Sequence, residues 1–177
     1  MKRPQYQSQN WTTILPDSLA IPADIIELMT FWSERSCGLA CASSAIAFQT
    51  GQVISQIKLF NQCVKNGGYS PQGWRHAELA SVISEYGINA EAKPLSTDEV
   101  KESLRNGKLI IASVTHKLPE TGSKGGHLIL LHRLRTFNNI CYVFFMDPSS
   151  WGRKRHCVQF ERFKKSFSLK GILLTIA

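Results

Sequence analysis

The chain changes its rhythm near residue 108. Up to that point apolar residues recur at helical spacing; beyond it they come in unbroken runs of strand length. In the first stretch, residues 21–29 (IPADIIELM) place a proline near a helix start and predict a short helix or turn. Residues 37–51 (CGLACASSAIAFQTG) are rich in Ala and Ser and close on Gly51, which predicts a buried helix. Residues 55–68 predict an amphipathic helix, capped by Ser55 and ended by Gly67 and Gly68. SPQGW (70–74) reads as a turn, residues 75–87 as a helix stopped by Gly87, and INAEAK (88–93) alternates like a strand. Ser96 and Glu99 have capping-box spacing, at the head of a helix that ends at Gly107.

After Gly107, KLIIASV (108–114), HLILLHRL (127–134) and CYVFFM (141–146) are rich in β-branched and aromatic residues and predict strands. RTFNN (135–139) predicts the hairpin turn between the last two. Residues 160–167 predict a short helix and 171–177 a final strand. Helices come first and a mostly antiparallel sheet follows, which is the order of an α+β fold. At 177 residues the chain is long enough for one real core. We expect a polar N-terminal arm over residues 1–20 and a single domain over 21–177.

Composition narrows the function classes. No apolar run approaches the ~18–20 residues of a membrane span. MKRPQYQSQNWTT has two basic residues and no apolar stretch after them, so no secretory signal is expected. The five cysteines do not follow structural zinc spacing, and an odd number cannot all pair within one chain. Free thiols and a cytoplasmic location are the expectation. Charge is uneven. Of 21 Lys/Arg and 13 Asp/Glu, fourteen and four lie after residue 100, a net of +10 there against −2 before it. Such a basic third suits an acidic partner, but no nucleic-acid-binding motif accompanies it, so nucleic acid is not the expected ligand.

Three residues stand where chemistry is favoured. Cys37 opens a helix, where free backbone N–H groups and the dipole favour negative charge. Gly38 beside it allows close approach of a substrate backbone. His127 follows Gly125 and Gly126 and heads an apolar strand. Asp147 ends the next strand, just before Pro148. In an antiparallel hairpin the start of one strand lies beside the end of the next, so His127 and Asp147 can be neighbours. A thiol, an imidazole and an orienting carboxylate are the parts of a thiol-based acyl-transfer site. Cys41, one turn after Cys37, reads as packing. Cys37, Cys41 and His127 could hold a metal only with a fourth ligand that is not evident, so no metal or cofactor is expected. His132 faces away from His127, and His116 and His156 have no obvious partner.

The segments CGLAC (37–41), GGYSPQGWRHAELASVISEYGI (67–88), GGHLILLHRL (125–134) and YVFFMDP (142–148) resemble the papain-like bacteriocin-processing (double-glycine) cysteine peptidases and their free-standing relatives. The resemblance runs from about residue 30 to the C-terminus. It implies a papain-like fold, with the nucleophile at a helix start packed on the sheet. It implies a Cys-His-Asp triad that cleaves peptide bonds, often after paired glycines in a leader. Carried over by position, Cys37 is the nucleophile, His127 the base and Asp147 the orienting acid. Trp74, His76 and Gly126 would border the substrate cleft, and the partner would be a peptide or protein. One position departs from the pattern. The family has an oxyanion-stabilising glutamine about six residues before the nucleophile, and here that residue is Phe31. Trp32 or Ser33 could replace it, or a glutamine of the arm (Gln5, Gln7 or Gln9) could fold back. Otherwise the protein is a non-catalytic peptide-binding module on the same fold. A transglutaminase-like or acyltransferase activity stays open beside hydrolysis.

Overall fold

A computed structural model describes residues 3–14 and 22–176. Helices α1 (Ala23–Ser33), α2 (Cys37–Thr50) and α3 (Gln56–Lys65) come first. A short hairpin, β1 (Tyr69–Ser70) and β2 (Gly73–Trp74), leads into α4 (His76–Ser84), β3 (Ile88–Pro94) and α5 (Thr97–Arg105). Then follow β4 (Leu109–Val114), β5 (His127–Phe137), β6 (Ile140–Met146), β7 (Cys157–Gln159), α6 (Phe160–Ser166) and β8 (Phe167–Ile176). Strands β3 to β8 form one sheet in the order β3-β8-β4-β5-β6-β7, every neighbour antiparallel. The α+β reading holds.

Strand alternation divides the core in two. Leu109, Ile111, Leu128, Leu130 and Met146 face one way, into a cluster with Leu39, Ile46, Leu59, Leu79 and Ile83 of α2, α3 and α4. Ile110, Ile129, Leu131, Val143 and Phe145 face the other way, against Val100 and Leu104 of α5 and Phe160 and Phe163 of α6. A helical layer therefore covers each face of the sheet.

Local signals explain most element ends. Ser55 accepts from the Lys58 N–H, and the box at Ser96 and Glu99 is closed from both sides. Gly51 ends α2 in the left-handed conformation. Asn138 and Asn139, both at positive φ, make the two-residue turn between β5 and β6. Several boundaries move. The helix expected over 21–29 runs on to Ser33, β8 starts at Phe167 rather than Gly171, and β7 is added. SPQGW is the turn of the β1–β2 hairpin.

The polar arm packs tightly on this body over residues 3–12. Ser44 of α2 donates to Gln5 O at 2.7 Å, and Gln56 of α3 donates to Ser8 O at 2.7 Å. The Trp11 N–H donates to Ser33 Oγ at 2.7 Å, and the Trp11 ring is buried. The Tyr6 hydroxyl and the Gln9 N–H both reach Pro148 O. Residues 15–20 of the arm lie outside the described residues.

Candidate active site

The site forms where the start of α2 meets the end of the β5–β6 hairpin. Small residues bring the helix there. A Cβ on Gly38 would sit 3.0 Å from Leu128 Cδ1 and 3.1 Å from Leu79 Cδ2, so only glycine allows this approach without displacing a neighbour. The Cys41 thiol donates to Leu128 O at 3.4 Å and ties the same helix to β5. Gly38 is thus buried against the strand and does not line the cleft, contrary to its expected role beside substrate.

On the sheet side, β5 and β6 pair Leu130 with Met146. Continuing that register sets Asp147 opposite Ile129 and diagonal to His127, within reach of long side chains. The His127 Nε2 to Asp147 Oδ1 distance is 2.8 Å, and both residues are buried. Asp147 Oδ1 also accepts from the Ser149 N–H at 2.8 Å. The turn that holds it needs Gly152, because a Cβ there would collide with the Asp147 carbonyl and Cβ. With Nε2 committed to the carboxylate, Nδ1 is the ring nitrogen left for sulfur. Cys37 lines the same cleft as His127 and acts on the ring electrostatically. Sulfur, imidazole and carboxylate are therefore in sequence.

Electrostatics favour a charged ring. Burial alone would lower the His127 pKa. The Asp147 hydrogen bond and the Cys37 side chain, with the charges of both, outweigh it and raise it to about 10. Burial would likewise raise Asp147, but the His127 hydrogen bond and charge, helped by Ser149, hold its carboxyl below the ordinary range. Cys41 differs: fully buried, its thiol is pushed well up, first by burial and then by Cys37 and Asp147. It is packing, as expected. His132 is driven down to about 4, by burial first and then by Arg133, Arg3 and His156.

One cleft holds the thiol and imidazole, and a second, bordered by His116, lies between the arm and the loop after Asp147. The first, about 150 Å³, is lined by Cys37, His127, Trp74, His76 and Gly126 with Arg35 and Tyr69. Trp74, His76 and Gly126 thus share one cleft with Cys37 and His127. Trp74 also braces the turn before Cys37, its indole N–H donating to Arg35 O at 2.6 Å. The second cleft, about 470 Å³, is walled by arm residues Tyr6, Ser8, Gln9 and Asn10, by Ser33 and Glu34, and by His116 and Pro148.

The oxyanion candidates separate by geometry. Ser33 is buried and its hydroxyl is engaged, donating to Met29 O at 2.7 Å and accepting from Trp11. It has no proton left for a substrate, which corrects that expectation. The Trp32 ring packs among Phe31, Phe60, Tyr69 and Trp74, with centroids 4.6–6.1 Å apart. Phe31 faces solvent under the Arg35 guanidinium, 3.8 Å above its ring, because α1 continues through that position. Gln9 instead enters the site region. Its Nε2 donates to Ser33 O at 3.0 Å, four residues before Cys37, while its backbone N–H donates to Pro148 O, one residue after Asp147.

One neighbour escaped the sequence reading. His116 lies edge-on to His127, ring centroids 5.1 Å apart and planes at 89°. Thr115–Leu118 forms a turn after β4, and the sequence of that turn carries no signal of where it points.

No family model and no curated protein matches the chain. Solved structures do. A double-glycine-motif protease from an AMS/PCAT transporter, solved with the leader peptide, matches at a TM-score of 0.56 and 17% identity, over 80% of this chain and 84% of that one. The peptidase domain of Streptococcus ComA, a bifunctional ABC transporter involved in quorum sensing, matches at 0.57 and 18%, over 81% and 93%. At such identities the likeness concerns the fold, and the chain has the papain-like fold of these double-glycine peptidase domains.

Proposed function

We propose that this protein is a cysteine peptidase that cleaves peptide substrates through an acyl-enzyme. The observation that carries this reading is the buried His127, hydrogen-bonded to Asp147 and sharing one cleft with Cys37 at the start of α2. Such a ring keeps its proton across neutral pH and faces a sulfur at a helix start, where negative charge is favoured. Attack of sulfur on the scissile carbonyl forms the C–S bond and leaves an oxyanion. His127 then gives its proton to the leaving amine as the C–N bond breaks. Water, deprotonated by His127, next attacks the thioester and releases the acid and free Cys37. Asp147 holds the ring in place and offsets its charge through the cycle.

The oxyanion needs two donors. The Cys37 backbone N–H, in the first helical turn, has no partner inside the helix and supplies one. Gln9 supplies the other. One hydrogen of its Nε2 is held by Ser33 O, which fixes the amide plane and leaves the second hydrogen available. The arm thus restores a glutamine where Phe31 turns outward. The first cleft takes the acyl side of the peptide, with Gly126 and Gly73 offering room for a backbone. By analogy with the structure solved with a leader peptide, a leader ending in paired glycines is the substrate to try first.

The test is cleavage of a panel of leader peptides with and without terminal Gly-Gly, followed by mass spectrometry. The reading expects a defined cleavage, lost in Cys37→Ala, with peptide binding kept in His127→Ala. Binding without cleavage in the wild-type protein would make the fold a peptide-binding module. Amine incorporation in place of hydrolysis would make it an acyltransferase.

A further inference from the structure

His116 occupies a costly position. Thr115–Leu118 closes a turn, with the Leu118 N–H donating to Thr115 O at 3.0 Å, and both Lys117 (φ 65) and Leu118 (φ 49) are left-handed. Two successive residues with a Cβ rarely adopt that conformation without a reason. Arg162 clamps the turn, its Nε donating to Leu118 O at 2.8 Å and its Nη2 to Lys117 O at 3.1 Å. The outcome is a histidine placed on the edge of His127, exposed to the second cleft.

Beside it lies an unsatisfied acceptor. Asp147 is 1% exposed, and its Oδ2 is buried without a hydrogen-bond partner. A buried carboxylate oxygen with nothing bound to it is expensive. The donor atoms of His116, His127 and Asp147 all lie within 4.8 Å of one another. Two imidazoles and a carboxylate are a common set for zinc and neighbouring divalent ions. Zinc–nitrogen and zinc–oxygen distances of ~2.0–2.1 Å set ligand separations of about 3.4 Å. To reach that, the exposed His116 ring closes by roughly 1.4 Å and the 2.8 Å His127–Asp147 contact opens by roughly 0.6 Å. A surface side chain with a cleft in front of it can make the larger movement.

We propose that His116, His127 and Asp147 form a site for a borderline divalent cation of the zinc type. The ion takes the His127 nitrogen now shared with Asp147 and releases its proton to solvent. Asp147 turns from orienting acid into ligand, and the Nδ1 proton that faces Cys37 is held fast, because giving it up would leave an imidazolate in place of a neutral ring. The ion is therefore a reversible off-switch; that consequence rests on the peptidase reading, while the site itself does not.

The experiment uses Cys37→Ala protein, so that sulfur cannot bind the ion and activity is not needed. Zn²⁺ titrated by calorimetry and Co²⁺ followed by visible absorption should each show one equivalent bound, with nitrogen–oxygen ligand-field bands and no sulfur charge-transfer band. Adding His116→Ala should weaken binding at least tenfold, and His116→Gln should do the same if the alanine variant unfolds. His132→Ala should change nothing. Affinity that vanishes with Cys37→Ala alone, or that is unmoved by either His116 variant, overturns the site. Zn²⁺ inhibition of wild-type cleavage, reversed by EDTA, tests the switch separately. Absence of any cleavage would end the peptidase reading and leave the cation site to stand on the titrations.

Discussion

His127 is pushed in two directions. Burial discourages its charge, while Asp147 and Cys37 favour it, and the partners win. Activity should therefore fall as pH rises through about 10, where the ring loses the proton it must give to the leaving amine. Asp147→Asn removes the carboxylate charge, so this alkaline limb should move to lower pH in a kcat profile, alongside a lower plateau. Gln9 makes a second prediction at this scale. Gln9→Ala removes one oxyanion donor, and kcat should fall by about 10²–10³ with KM changed far less. Unchanged kcat would assign Gln9 to arm docking alone. Cys37, His127 and Asp147 were legible in the sequence because each is a polar residue at the very edge of an apolar element. Gln9 and His116 were not. Their places depend on contacts such as Tyr6 with Pro148, 142 positions apart, and on a turn whose direction no local pattern encodes.

At the scale of elements, one helix and one hairpin make the site, and glycines set the distance between them. Gly38→Ala places a methyl 3.0 Å from Leu128 and 3.1 Å from Leu79. Overpacking of this kind costs about 1–3 kcal/mol, and here it also lifts Cys37 away from His127. Denaturant unfolding should show the loss, and activity should fall by more than the unfolded fraction explains. A Gly38→Ala protein with full activity would mean that the helix docks loosely. The sequence displayed α2 to α5 and β3 to β6 well, because caps, glycine stops and apolar runs all agree there. It missed β7 and the first residues of β8. Three residues of alternating exposure at Cys157–Gln159 are too short to announce a strand, and Phe167–Lys170 is held by pairing with β4 and β3 instead of by its own pattern. The extension of α1 to Ser33 carries more weight, since it turns Phe31 outward and leaves the glutamine's place to the arm.

For the whole molecule, the arm is docked on the body rather than trailing as a tail. It crosses α2, α3, the end of α1 and the loop after Asp147, using polar side chains and backbone to satisfy one another. Its polar composition suggested an appendage, because hydrogen bonding to distant backbone leaves no apolar periodicity to detect. The basic third lies partly beside the site, with Arg153 on the second cleft. Among the described residues no helix is long and apolar enough to cross a membrane. The proposed chemistry stands on one thing, the selective activation of Cys37 by His127. Five thiols compete: Cys157 is exposed, Cys37 and Cys141 are half-buried, and Cys41 and Cys63 are buried. Limiting iodoacetamide at neutral pH, followed by peptide mapping, ranks them directly. Cys37 should be labelled first, ahead of the more exposed Cys157, and should lose that lead in His127→Ala. Labelling that simply follows exposure, with Cys157 first in both proteins, would contradict the account.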